Sequence, residues 1–110
     1  MVIIAEHKKA ATSTLKEGIK LFTSTIRRGS PDYLDPKLNC HSKLHEVQAL
    51  IQAIEAGAEE TLMLDINGFV STCNATNFFI VTDGEVWTST DAYCMNCLLY
   101  TSDAADDTPC

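Results

Sequence analysis

The stretch AGAEETLMLDINGFVSTCNATNFFIVTDGEVWT, Ala56–Thr88, decides the fold. Its apolar and β-branched runs are interrupted by Asn67-Gly68 and Asp83-Gly84, dipeptides that tolerate the positive φ angles of a tight antiparallel turn. Two hairpins are therefore expected, Thr61–Ile66 with Phe69–Thr72 and Phe78–Val81 with Glu85–Thr88. Upstream, Leu44, Val47, Leu50, Ile51 and Ile54 recur at helical spacing, while Gln48, Gln52, Glu55 and Glu59 take the other side. That pattern predicts an amphipathic helix over Ser42–Ala56, closed by Gly57 in the left-handed conformation. Further back, Gly18–Arg28 is rich in β-branched and aromatic residues and reads as a strand. Gly29-Ser30-Pro31 and Asp35-Pro36 mark an irregular crossing between that strand and the helix. The expected class is α+β: a strand, a helix and a four-stranded antiparallel meander.

Composition narrows the function. The chain has 110 residues, the size of one small domain, and a formal net charge of −7, which argues against a nucleic-acid or anionic-membrane surface. No apolar run reaches the roughly 18 residues of a membrane span. The apolar Met1–Ala5 gives way at once to Glu6-His7-Lys8-Lys9, without the long apolar stretch and cleavage site of a secretory signal, so a cytoplasmic location is expected. Five cysteines, at 40, 73, 94, 97 and 110, form an odd and irregular set unlike a disulfide framework. Cys97–Asp107 resembles the translation of a sequencing-library adapter, and residues 97–110 are read as a non-native tail. Cys94-Met95-Asn96-Cys97, otherwise a metal or redox pair, loses its meaning because its second cysteine lies in that tail.

Several segments carry a resemblance. Ile26-Arg27-Arg28, Asp35-Pro36-Lys37-Leu38, Ala56–Ser71, Asn77–Val81 and Asp83–Thr88 together resemble the fold-type IV pyridoxal-phosphate enzymes. These class IV aminotransferases include branched-chain and D-amino-acid aminotransferases and aminodeoxychorismate lyase. The resemblance spans Ile19–Asn96. It implies that residues 1–96 are a fragment of the cofactor-binding domain of a longer, two-domain, homodimeric enzyme. It also implies pyridoxal 5′-phosphate as cofactor, and an amino acid and a 2-oxo acid as small-molecule partners, with a lyase or a non-catalytic homologue as alternatives.

In such enzymes a lysine forms a Schiff base with the cofactor and shuttles a proton, and a glutamate on the meander pairs with the pyridine nitrogen. Ungapped counting places the family's lysine on Asn39, which cannot form the imine. The candidate amines are then Lys43, at the start of the helix, and Lys37, with Lys43 preferred. The glutamate position falls on Thr72, whose hydroxyl supplies a hydrogen bond but no charge. Asn74 and Thr76 are expected near the phosphate, or else as turn residues bonded to their own backbone. His41, His45 and Glu46 lack the spacing of a metalloprotease motif and a third ligand, so no metal is assigned. Arg27 and Arg28 read as solvated strand-end cations and Trp87 as a packing residue.

Overall fold

The computed structural model describes residues 1–9, 11–38, 40–95 and 97. Asn39, Asn96 and the rest of the tail after Cys97 therefore lie outside the described residues. The elements follow as α1 (Thr12–Glu17), β1 (Leu21–Thr23), α2 (Leu44–Glu55), β2 (Glu60–Leu64), β3 (Val70–Cys73), β4 (Phe79–Thr82) and β5 (Glu85–Thr88). The short α1 has no counterpart in the sequence-based expectation, and none of its residues is buried.

The α+β class is as expected, and both hairpins form, but in two separate sheets. β1, β2 and β3 make one sheet in that order, and β4 pairs only with β5. β1 runs parallel to β2, with Phe22 opposite Thr61, because the chain crosses over through α2 between them. β2 is antiparallel to β3, with Met63 opposite Thr72, and Ser71 is the extra residue of a bulge. The far side of β3 is taken by the Ser89–Tyr93 segment: Ser71 Oγ donates to the Tyr93 carbonyl at 3.0 Å, and Ser89 Oγ to the Ser71 carbonyl. That segment stands where a continuous meander would have placed β4.

The strand expected over Gly18–Arg28 is cut to three residues. Ser24 Oγ accepts the Ile26 N–H at 2.9 Å, which bends the chain. Pairing with β2 resumes at Arg28: the Ser24 N–H donates to the Leu62 carbonyl at 2.9 Å and the Arg28 N–H to the Leu64 carbonyl at 2.8 Å. Carbonyls two residues apart on β2 thus face donors four residues apart, and Thr25–Arg27 is looped out.

Helix α2 ends in a Schellman motif. The Ala58 N–H donates to the Ala53 carbonyl at 2.8 Å and the Gly57 N–H to that of Ile54 at 3.0 Å, with Gly57 at φ 76. The helix packs on β1 and β2, and the face it buries is not the large apolar stripe. Ala49 and Ala53 are fully buried, against a sheet whose Thr61 and Met63 are also fully buried, whereas Leu44, Val47, Ile51 and Ile54 stay exposed. Two small side chains let the helix approach the sheet closely, and the larger ones remain outside. Trp87, expected in a core, is exposed, and its Nε1 donates to Glu85 Oε2 at 3.1 Å.

The turns match their sequence signals in different degrees. Asp83 and Gly84 both have positive φ, 50 and 78, as a two-residue hairpin turn requires. Around Asn67-Gly68 the loop is wider. Buried Asp65 organises it, its Oδ1 accepting the N–H groups of Asn67 at 2.8 Å and Phe69 at 3.0 Å.

Candidate active site

Among the described residues the buried set holds more polar than apolar side chains, with Ser24, Arg28, Thr61, Asp65, Ser71, Thr72 and Asn74 in it. Three of these, Arg28, Thr72 and Asn74, line a cavity of about 500 Å³, within the range of small-molecule sites. The walls come from three parts of the chain: Arg27–Gly29 with the crossing Tyr33–Leu38, the start of α2 (Ser42, Lys43, His45, Glu46), and the turn Thr72–Asn77 that follows β3.

The two candidate amines are placed differently. Lys43 is the N-cap residue of α2, is exposed, and lines the cavity. Lys37 is not among the lining residues, and its Nζ lies 3.4 Å from Asp91 Oδ2 in a half-exposed ion pair.

On the opposite wall, Thr72, Asn74 and Thr76 all line the cavity. Thr72 is buried and its hydroxyl donates to the Thr76 carbonyl at 2.8 Å, so it closes its own turn. Asn74 Oδ1 accepts the Thr61 N–H at 3.2 Å, which leaves the amide NH₂ as a donor. Thr76 is exposed and its hydroxyl donates to Glu60 Oε1 at 2.6 Å. Thr72 thus bonds within the turn, and all three side chains also face the cavity.

Arg28 is the residue that sequence reasoning placed wrongly. It is 6% exposed, its Nη1 donates to Glu46 Oε1 at 2.7 Å and its Nη2 to the Cys73 carbonyl at 2.8 Å. Its Nε is buried and, among the described residues, without a hydrogen-bond partner. The signal available in the sequence was a carboxylate, Glu46, in the first turn of an amphipathic helix; nothing local says which cation it meets. Arg27 remains exposed and reaches the Asp65 carbonyl at 3.2 Å.

His45 lies half-buried beside this pair, whereas His41 is exposed and outside the cavity lining. Burial lowers the His45 pKa from its ordinary value, the Arg28 charge lowers it further, and Glu46 opposes both. Burial raises the Cys73 thiol, with the Glu60 charge adding to it and the Thr76 hydrogen bond and Arg28 opposing. The cavity is lined by the cations Arg27, Arg28 and Lys43 and by the carboxylates Asp35 and Glu46, with Arg28 paired to Glu46, and the Asn74 amide adds a donor. Leu34, Pro36, Leu38 and Met95 supply apolar surface.

Several known proteins are similar to this chain. The chain is 38% identical over 95 residues to a branched-chain-amino-acid aminotransferase-like protein 2 of Arabidopsis thaliana, covering 86% of the chain and 17% of that protein. It is 32% identical over 83 residues to the branched-chain-amino-acid aminotransferase of Pseudomonas aeruginosa, covering 74% of the chain and 27% of the relative. The chain thus spans less than a third of these relatives. Among solved structures, a T.th. branched-chain amino acid aminotransferase complexed with N-(5′-phosphopyridoxyl)-L-glutamate superposes with a TM-score of 0.73 at 26% identity, over 76% of this chain and 29% of the other. The model of the family described as amino-transferase class IV matches residues 1–97. Fold, cavity and sequence agree, and the chain belongs to the amino-transferase class IV family.

Proposed function

We propose that this chain is part of a pyridoxal 5′-phosphate-dependent aminotransferase that moves an amino group between a branched-chain-like amino acid and a 2-oxo acid. Residues 1–96 would belong to its cofactor-binding domain and 97–110 would be a non-native tail. A homodimer and a cytoplasmic location go with the same reading. The observation that carries it is the cavity itself, with an amine on one wall and a hydroxyl- and amide-rich turn on the other, in a chain of this family.

The residues present fit the cofactor on its phosphate side. The Thr72–Asn77 turn supplies the Asn74 amide as a donor, and Arg27 adds a cation that would complement a dianion, Arg28 being paired with Glu46. When bound, pyridoxal phosphate supplies the electrophile and the electron sink that amino transfer needs. Lys43 is the amine placed to hold and move the substrate proton. Lys37 is the second candidate, and its pairing with Asp91 would have to be released first. Thr72, at the position the resemblance gives to the glutamate, is an uncharged hydroxyl whose proton is already donated to the Thr76 carbonyl, so it would not hold a proton on the pyridine nitrogen.

A second reading is a non-catalytic homologue, or a lyase with the same cofactor site. The Thr72 hydroxyl, already bonded to the Thr76 carbonyl, favours the first of these. Borohydride trapping of the complete protein loaded with pyridoxal phosphate, followed by peptide mapping, separates the readings. The expected adduct is on Lys43, and a Lys43→Ala variant should lose it. An adduct on Lys37 would reassign the amine, and none would leave the non-catalytic homologue.

A further inference from the structure

Arg28 is bonded to three segments that are distant in sequence. Its own N–H joins the β2 ladder at Leu64, Nη1 holds Glu46 in the first turn of α2, and Nη2 holds the carbonyl of Cys73 at the end of β3. Each side-chain tie lies next to a cavity residue: Glu46 follows His45 and is one turn from Lys43, and Cys73 sits between Thr72 and Asn74. Both Nη groups donate to the protein and Nε is shut away from solvent, so the guanidinium is built into the walls.

We propose that Arg28 is a positioning residue, which sets the distance between the amine-bearing start of α2 and the Thr72–Asn77 turn and thereby the cavity's selectivity for a phosphorylated over an unphosphorylated ligand. The inference rests on the functional reading above and adds a residue to it. The geometry needs an arginine. A planar fork donates in two directions at fixed angles, to a carboxylate on one side and a carbonyl on the other, whereas an ammonium is a single point charge on a flexible stem. Loss of the fork would free Glu46 and the Cys73 carbonyl together, so both walls would shift. The turn that carries Asn74 would then no longer present its amide donor at the distance a phosphate requires.

The test uses the full-length protein, with Arg28→Met, Arg28→Lys and, as a control for general destabilisation, Gln52→Leu, a change on the far part of α2. Two quantities are read: amide hydrogen exchange of the cofactor-free protein, and the ratio of affinities for pyridoxal 5′-phosphate and pyridoxal from absorbance titrations. In Arg28→Met, exchange should accelerate at least tenfold at Cys73, Asn74 and Val47, while β4–β5 is unchanged. The affinity ratio should fall at least tenfold. Arg28→Lys, which keeps charge and fold but not the fork, should show the same fall in ratio in weaker form, and Gln52→Leu should leave the ratio intact. Unchanged exchange on both walls would overturn the proposal, as would equal loss of both affinities. Wild-type protein that binds neither compound would defeat the functional reading instead, and exchange would then judge the positioning role alone.

Discussion

Gln52, on the solvent side of α2 by sequence pattern, latches the helix to the looped-out segment after β1. Its Oε1 accepts the Ser24 hydroxyl at 2.8 Å and the Thr25 N–H at 3.1 Å, and its Nε2 donates to Thr25 Oγ1 at 2.8 Å. Gln52→Leu removes all three bonds at nearly constant volume. The two bonds to Thr25 lie at an exposed residue that water can serve, so their loss costs on the order of a few tenths of a kcal/mol each. Ser24 is 3% exposed, and its hydroxyl proton would be left without an acceptor, at about 1–2 kcal/mol. The total of about 2 kcal/mol corresponds to a fall in Tm of roughly 10 °C for a domain of this size. Thermal melting followed by circular dichroism reads the total, and hydrogen exchange at the Thr25 amide reads the latch directly. Gln52→Glu keeps the accepting oxygen and replaces the Nε2 donor with a second acceptor, to which the Thr25 hydroxyl can rotate to donate, so this variant should melt near the wild type at neutral pH. A Gln52→Leu protein that melts within about 1 °C of wild type, with the Thr25 amide still protected, would refute the reasoning.

Other outcomes follow from the same structure. Burial and Arg28 depress the His45 pKa below its ordinary 6.5, so the unfolded chain takes up this proton first. The histidine's contribution to stability is thus complete above pH 6.5 and is lost as pH falls through the lower folded value; Tm measured from about pH 7.5 to 5 should decline less steeply in His45→Asn. Gly57→Ala puts a Cβ into open space but at φ 76, so only backbone strain opposes it, and denaturant melts should show a loss of about 1 kcal/mol. Ile51 and Ile54 are 49% and 62% exposed, so Ile51→Lys with Ile54→Glu should change stability by less than about 0.5 kcal/mol in denaturant melts.

Features legible in the sequence are those whose cause lies within a few residues. Asp83-Gly84 tolerates two successive positive φ angles, and a two-residue hairpin results wherever the strands later dock. Gly57 ends α2 because the last carbonyls need donors from a left-handed residue just there. Of the turn after β3 only the Thr72 bond to the Thr76 carbonyl was legible in the same way, whereas Asn74 and Thr76 bond Thr61 and Glu60 across 13 and 16 residues. The tertiary structure alone decided what depends on partners far along the chain. Arg28 meets Glu46 and Cys73 across 18 and 45 residues, so a cation that looked solvated became buried. β1 took a parallel place beside β2, and the Ser89–Tyr93 segment took the edge of β3, which divided the expected meander into two sheets. Helical periodicity identified the apolar residues of α2, but the surface available to it was a close-packed sheet that admits Ala49 and Ala53 rather than Val47 and Ile51. A pattern along one element states what it is able to bury; the neighbour it packs against selects which face is buried.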